Sequence, residues 1–197
     1  MITNAAANAL PLPPDTTSPL LPPATATAYG TLPCPVPHTD EELGALLGLL
    51  TAPGPRPRTR ARIRTVVVGH SRDAASRSAA TAFVEAWRSA DLPVLAVAHW
   101  PERAASWLRA AQRFTAEEPD AWVVAAAPLG WAQMSRRLRR STGWDPARTY
   151  GFASLADSRL PALTGPGTLH GMRGATAEGG AWTVDGRWVS RRLPSSP

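Results

Sequence analysis

Between Thr65 and Leu155, short apolar runs rich in β-branched and small residues alternate four times with segments of helical period, and this constrains the chain more than anything else in it. The runs are Thr65-Val66-Val67-Val68-Gly69-His70, then 93–99 (PVLAVAH), 121–127 (AWVVAAA) and 150–155 (YGFASL). The first is apolar throughout rather than alternating, as a strand covered on both faces must be. Between the runs lie helices over 74–90, 102–116 and 130–141. The first has Ala79, Ala82, Phe83, Ala86 and Trp87 on one face; the second has Ala105, Leu108, Ala111 and Gln112, with Pro101 at its start. Strand and helix in strict alternation give a parallel sheet with right-handed crossovers and helices on both faces.

What flanks this unit follows from proline and glycine. Of 197 residues 21 are Pro, and they crowd the first sixty. Pro removes a backbone donor and fixes φ, so residues 1–37 are expected to be a disordered, polyproline-like leader. A helix begins after the Thr39 cap, with Asp40, Glu41 and Glu42 in its first turn and Leu43, Leu46, Leu47 and Leu50 at helical spacing. Pro53-Gly54-Pro55 ends it, and 56–64 reads as an exposed basic connector. Beyond Asp157 the period fades into a Gly-rich loop. Ala181-Trp182-Thr183-Val184 and Arg187-Trp188-Val189 around Asp185-Gly186 then predict a β-hairpin with a type I′ turn, and the last residues, RRLPSSP, are expected to fray.

The remaining composition mainly excludes. One cysteine, Cys34, removes a disulfide scaffold. No apolar run approaches the roughly 18 residues of a membrane helix. The formal charge of +6 is carried by Arg with no Lys, and Ala, Pro and Gly abound. A GC-rich coding bias accounts for this pattern, so the charge does not argue for nucleic acid. Arg136, Arg137, Arg139 and Arg140 fall at a helix C-terminus, where cations suit the dipole, and read as a solvated helix face. The start of the chain shows no basic n-region or continuous apolar stretch, so the expected location is the cytoplasm.

In an open α/β sheet, ligands bind at the carboxyl ends of the strands. Gly69-His70-Ser71 is similar to a hydrolase nucleophile elbow, but Asp73 stands where the strained turn requires glycine. His70-Ser71-Arg72-Asp73 is faintly similar to a segment of sirohydrochlorin-type chelatases, yet Trp131 follows Gly130 where a second His would be expected. His70 and His99, both at strand ends, lack a third ligand for a metal. Ser71 or Asp73 also suits a plain helix cap. Trp100 and Trp131 lie at strand ends and are candidate cleft residues, whereas Trp87 and Trp107 lie on helix faces and Trp182 and Trp188 in the hairpin. No phosphate-binding loop precedes a helix, so no cofactor is expected.

Laid out in order, 40–157 resembles the C-terminal lobe of type 1 periplasmic-binding proteins of the branched-chain amino-acid receptor kind. The resemblance rests on 65–73, on Ala82-Phe83-Val84-Glu85-Ala86-Trp87-Arg88 and on Pro119-Asp120-Ala121-Trp122-Val123-Val124. It continues through Gly143-Trp144-Asp145-Pro146, Tyr150-Gly151-Phe152 and 169–174. It implies a three-layer, Rossmann-like lobe over 38–160, behind the 1–37 leader and ahead of a loop, hairpin and tail over 161–197. The implied function is non-catalytic binding of a small, amino-acid-like solute, as in the substrate-binding protein of an ABC transporter, with no metal. The ligand-facing set is then Ser71, Trp100, Trp131 and, by position, Asp157. That family is exported and has a second lobe of similar size, so a partner lobe or homodimer is implied. A Ser hydrolase or chelatase using His70 and Ser71 is the enzyme alternative.

Overall fold

A computed structural model describes residues 28, 30–52, 63–104 and 106–194. The leader expected over 1–37 lies largely outside them, as do most of the 56–64 connector and the end of the tail. Helix α1 (Asp40–Thr51) forms as its spacing predicts: the Thr39 hydroxyl accepts the Glu42 amide N–H at 3.1 Å and donates to the Ala177 carbonyl at 2.6 Å. The alternating unit then supplies β1 (Val66–Ser71), α2 (Ala74–Ser89), β2 (Val94–Trp100), α3 (Leu108–Phe114), β3 (Ala121–Ala125), α4 (Pro128–Ser141) and β4 (Thr149–Gly151). The chain closes with α5 (Leu160–Thr164), β5 (Arg173–Ala175), β6 (Ala181–Asp185) and β7 (Trp188–Arg192).

These strands form one sheet in the order β2-β1-β3-β4-β5-β6-β7, parallel from β2 through β5 and antiparallel over the last two pairings. The fold is thus the three-layer, mostly parallel α/β architecture that the alternation requires. Side chains of β1 divide between two cores, because successive residues of a strand point to opposite faces. Val66 and Val68 meet Ala79, Phe83 and Trp87 of α2 and Leu46 and Leu50 of α1. Val67 belongs to the core that holds Trp100, Phe114, Trp122, Trp131 and Leu138 on the side of α3 and α4. Among the described residues no helix is long and apolar enough to cross a membrane.

Five expectations are corrected. The helix expected over 102–116 is confined to Leu108–Phe114, because Glu102 leaves helical geometry to accept a hydrogen bond from Gly130. The fourth strand stops at Gly151, and Ala153–Leu155 turns into a 3₁₀ helix. The segment after Asp157 is more ordered than its glycines suggest, since it supplies α5 and a fifth parallel strand, β5. Strand β7 runs to Arg192, into residues expected to fray. Lastly, Asp185 pairs with Trp188, so Gly186 and Arg187 are the turn centre. Only Gly186 has positive φ (58°), the pattern of type II′, whereas type I′ requires it at both positions.

Gly174 has no room to change. A Cβ there would overlap the Gly151 carbonyl oxygen and stand 2.5 Å from the Trp182 ring, whereas one on Gly143 would meet nothing within 4 Å. Overpacking on this scale costs about 3 kcal/mol. In urea titrations, Gly174→Ala is expected to lose that much stability or fail to fold, and Gly143→Ala to unfold within about 1 kcal/mol of the parent.

Candidate functional site

The sheet order reverses at β1, whose neighbours are β2 on one side and β3 on the other. The connections leaving β1 and β3 depart on opposite faces, and this opens a crevice at the carboxyl ends of the two strands. A cavity of about 930 Å³ lies there. Its inner wall is Asp73, Ala74, Ala75 and Ser78 from the start of α2, Glu102 and Arg103 after β2, and 127–129 at the start of α4. Its outer wall is the described end of the leader: residues 30–35 and Pro37. That segment has no helix or strand, as its prolines require, yet it is seated on the domain. Leu32 packs against the α3–α4 core, and Arg159 Nη1 donates to the Thr31 carbonyl at 3.1 Å.

A polar network joins the inner wall. The Ser71 hydroxyl accepts the Ala127 amide N–H at 2.9 Å, donates to Asp73 Oδ2 at 2.7 Å, and has the Ser76 hydroxyl 3.1 Å away. Asp73 Oδ1 accepts the Ser76 amide at 2.8 Å and so caps α2. Burial would raise the Asp73 carboxyl, but the Ser76 amide and the Ser71 and Ser76 hydroxyls outweigh it and hold its pKa below the ordinary value. Glu102 moves the other way: burial pushes its pKa up, helped by the nearby Asp73 charge and only partly offset by the Gly130 amide and the Ser71 hydroxyl. Glu102 Oε2 accepts that amide at 3.0 Å, serving an α4 terminus whose own Ala127 offers no side-chain cap. Glycine leaves room for the approach, for a Cβ on Gly130 would stand 2.6 Å from the carboxylate and displace it. Glu102 Oε1 is itself buried and has no well-formed hydrogen bond among the described residues, although the nearby Ser71 hydroxyl favours the ionised carboxylate.

Each residue expected at the site can now be placed. Ser71 is at the crevice but fully buried, and its hydroxyl serves the network rather than a histidine. His70 and His99 are neighbours, as their strand ends suggested, with ring centroids 5.9 Å apart. His70 Nδ1–H donates to the Ser71 carbonyl, and Arg72 Nε donates to His99 Nδ1. Burial, then the charges of Arg72 and His70, keeps the His99 pKa low. Trp100 and Trp131 are both 0% exposed and tilt against each other at 5.8 Å in the core, so neither ring lines the cavity. Asp157 holds Arg159 at 2.7 Å, a bond that lowers its pKa and turns its carboxylate to its own chain neighbour. Glu102 and the 30–37 segment carry no site signal in the sequence, yet both line the cavity. Among the described residues, no group of three or more His, Cys, Asp and Glu could hold a metal ion.

No family model and no curated protein matches the sequence. Solved structures do share its shape. The chain matches a substrate-binding periplasmic protein from Ralstonia solanacearum with a TM-score of 0.57 and 20% identity, over 81% of this chain and 39% of that one. It matches a protein named for a branched-chain amino acid ABC transporter of Rhodospirillum rubrum at 0.55 and 20%, over 71% and 37%. An extracellular ligand-binding receptor from Rhodopseudomonas palustris matches at 0.54 and 16%, over 72% and 36%. The chain has the fold of a periplasmic-binding lobe. It spans less than two-fifths of the length of these three neighbours, and the crevice of this lobe lies at the strand ends where the sheet order reverses.

The opposed shifts of Asp73 and Glu102 predict opposite responses to acid. A lowered carboxyl stabilises the fold above its unfolded value and loses that contribution as pH falls through its folded value; a raised one costs stability once pH rises through its folded value. Asp73→Ala is expected to lose about 1 kcal/mol at neutral pH, a deficit that shrinks in acid. Glu102→Gln, which keeps an acceptor for the Gly130 amide, is expected to match or exceed the parent at pH 7, whereas Glu102→Ala falls below it. Thermal melts between pH 3 and 8 read all three.

Proposed function

We propose that this chain is a solute-binding lobe whose ligand is a small, amino-acid-like molecule held in the crevice between the ends of β1 and β3. One observation carries the reading: a carboxylate residue, Glu102, and a cationic one, Arg103, lie side by side in the wall of a 930 Å³ cavity at the switch point of the sheet. The Glu102 carboxylate is the acceptor that a ligand N–H or ammonium would meet there. Arg103, on the same wall, supplies a donor for a carboxylate at the other end of such a ligand. The shared fold supports the same reading, since the named neighbours are described as substrate-binding and ligand-binding proteins. We propose further that a partner lobe or a second copy completes the cleft beyond the wall formed by 30–37, since one lobe supplies about half the contacts of a two-lobed cleft.

The expected affinity is correspondingly low. The chain alone should bind leucine or a similar amino acid with Kd no better than about 1 mM, roughly 4 kcal/mol. In NMR titrations the Glu102, Ala127 and Gly130 amides should shift, and Glu102→Gln should lose those shifts while remaining folded. The buried Trp100 and Trp131 should report little by fluorescence. Micromolar affinity of the monomer would overturn the need for a second half, and turnover of an ester would overturn the binding-protein reading.

A further inference from the structure

The crevice occupies only one end of α4. The helix begins at Pro128 beside the cavity, and its rise of 1.5 Å per residue carries Arg136 to Arg140 some ~12–18 Å away. There the helix faces the loop that follows α5, and the two enclose a second recess of about 310 Å³. Arg136, Arg139 and Arg140 line one side, and Thr164, Pro166, Gly167 and Thr168 the other.

Three features distinguish this recess from a solvated basic face. Offsets of three and four residues put Arg136, Arg139 and Arg140 on one side of the helix, so all three border one recess. Arg136 is only 4% exposed, and its Nη1 donates to the Thr164 carbonyl at 3.4 Å, a contact that fixes the guanidinium in the wall. The attraction of the helix C-terminus for cations accounts for exposed arginines in the last turn, but gives no reason to enclose one. Among the described residues lining the recess there is no Asp or Glu, and neither Arg139 nor Arg140 has an ion-pair partner among the described residues. The opposite wall is open to a ligand, since Gly167, at φ 73°, has nothing within 4 Å of where a Cβ would stand.

We propose that this recess is a second binding site, for a small molecule bearing phosphate. The guanidinium fork matches the spacing of phosphate oxygens and binds them bidentately. A volume near 310 Å³ falls at the small end of small-molecule sites, enough for a diphosphate or a compact phosphate ester. The site is independent of the amino-acid-like ligand proposed for the crevice.

Pyrophosphate titrated into the full chain by calorimetry, with sodium chloride holding the ionic strength constant, tests it. One saturable site is expected, weakened at least about tenfold in the Arg139→Gln/Arg140→Gln double variant, with the melting temperature of the free protein unchanged. Both positions are exposed; should the double variant melt early, Arg140→Gln alone is expected to weaken binding by about threefold. A nucleoside diphosphate binding more tightly than pyrophosphate identifies an ester as the ligand, and equal affinity identifies free phosphate. No saturable heat, or unchanged affinity in the variants, overturns the proposal. So does an oligonucleotide that outcompetes pyrophosphate with a steep salt dependence, which would make the arginines a nucleic-acid surface.

Discussion

The Ser71 hydroxyl holds together the two strand ends between which the crevice opens. By accepting the Ala127 amide and donating to Asp73, it binds the end of β1 to the entry of α4 and orients the carboxylate that starts α2. Two helices leaving on opposite faces of the sheet are thereby referred to one buried oxygen. Removing it would leave a buried amide and a carboxylate short of a partner, the most expensive kind of loss in a protein interior. Glu102 extends the arrangement to the other side of α4. Its carboxylate caps that helix through Gly130, so the loops after β1, β2 and β3 all meet within one polar layer.

Beneath that layer the sheet rests on aromatic rings. Trp100 touches Trp131 and Phe114, Trp131 meets Trp144 edge-on at 5.7 Å, and Phe114 lies 6.4 Å from Trp122. Gly69 exists to admit them, because a Cβ on it would stand 2.6 Å from Phe114 and 2.7 Å from Trp100. The indoles of Trp87, Trp122 and Trp182 donate to backbone carbonyls, whereas those of Trp100, Trp131 and Trp144 have no acceptor among the described residues. The large rings contribute apolar area and shape here, at a cost in unsatisfied donors.

This explains which parts of the molecule could be read from sequence. The alternation of apolar runs with helical segments identified the parallel sheet, because burial on both faces leaves a run such as Val66-Val67-Val68 no other stable arrangement. Trp100 ends β2 as expected, whereas Trp131 lies in the first turn of α4 rather than at a strand end, and whether a side chain at such a place points into the cavity or into the core depends on tertiary packing. Trp100 pairs in register with Ser71 and joins Ala98 on the α3–α4 face, so it faces inward. Strand β5 escaped notice because three residues among glycines carry no period; only pairing with β4 and β6 makes Arg173–Ala175 a strand. Glu102 likewise gave no signal of its own. Its partner lies 28 residues ahead, and a long-range cap of that kind leaves no spacing to detect.

The segment over 30–37 adds a different kind of constraint. It is tied at one end by the Thr31 carbonyl to Arg159 and, two residues past its other end, by Thr39 to Ala177. A wall donated by a second protein forms according to the concentration of that protein, whereas this one is covalently attached to the surface it covers. Covering the crevice is therefore an intramolecular matter, independent of how far the protein is diluted.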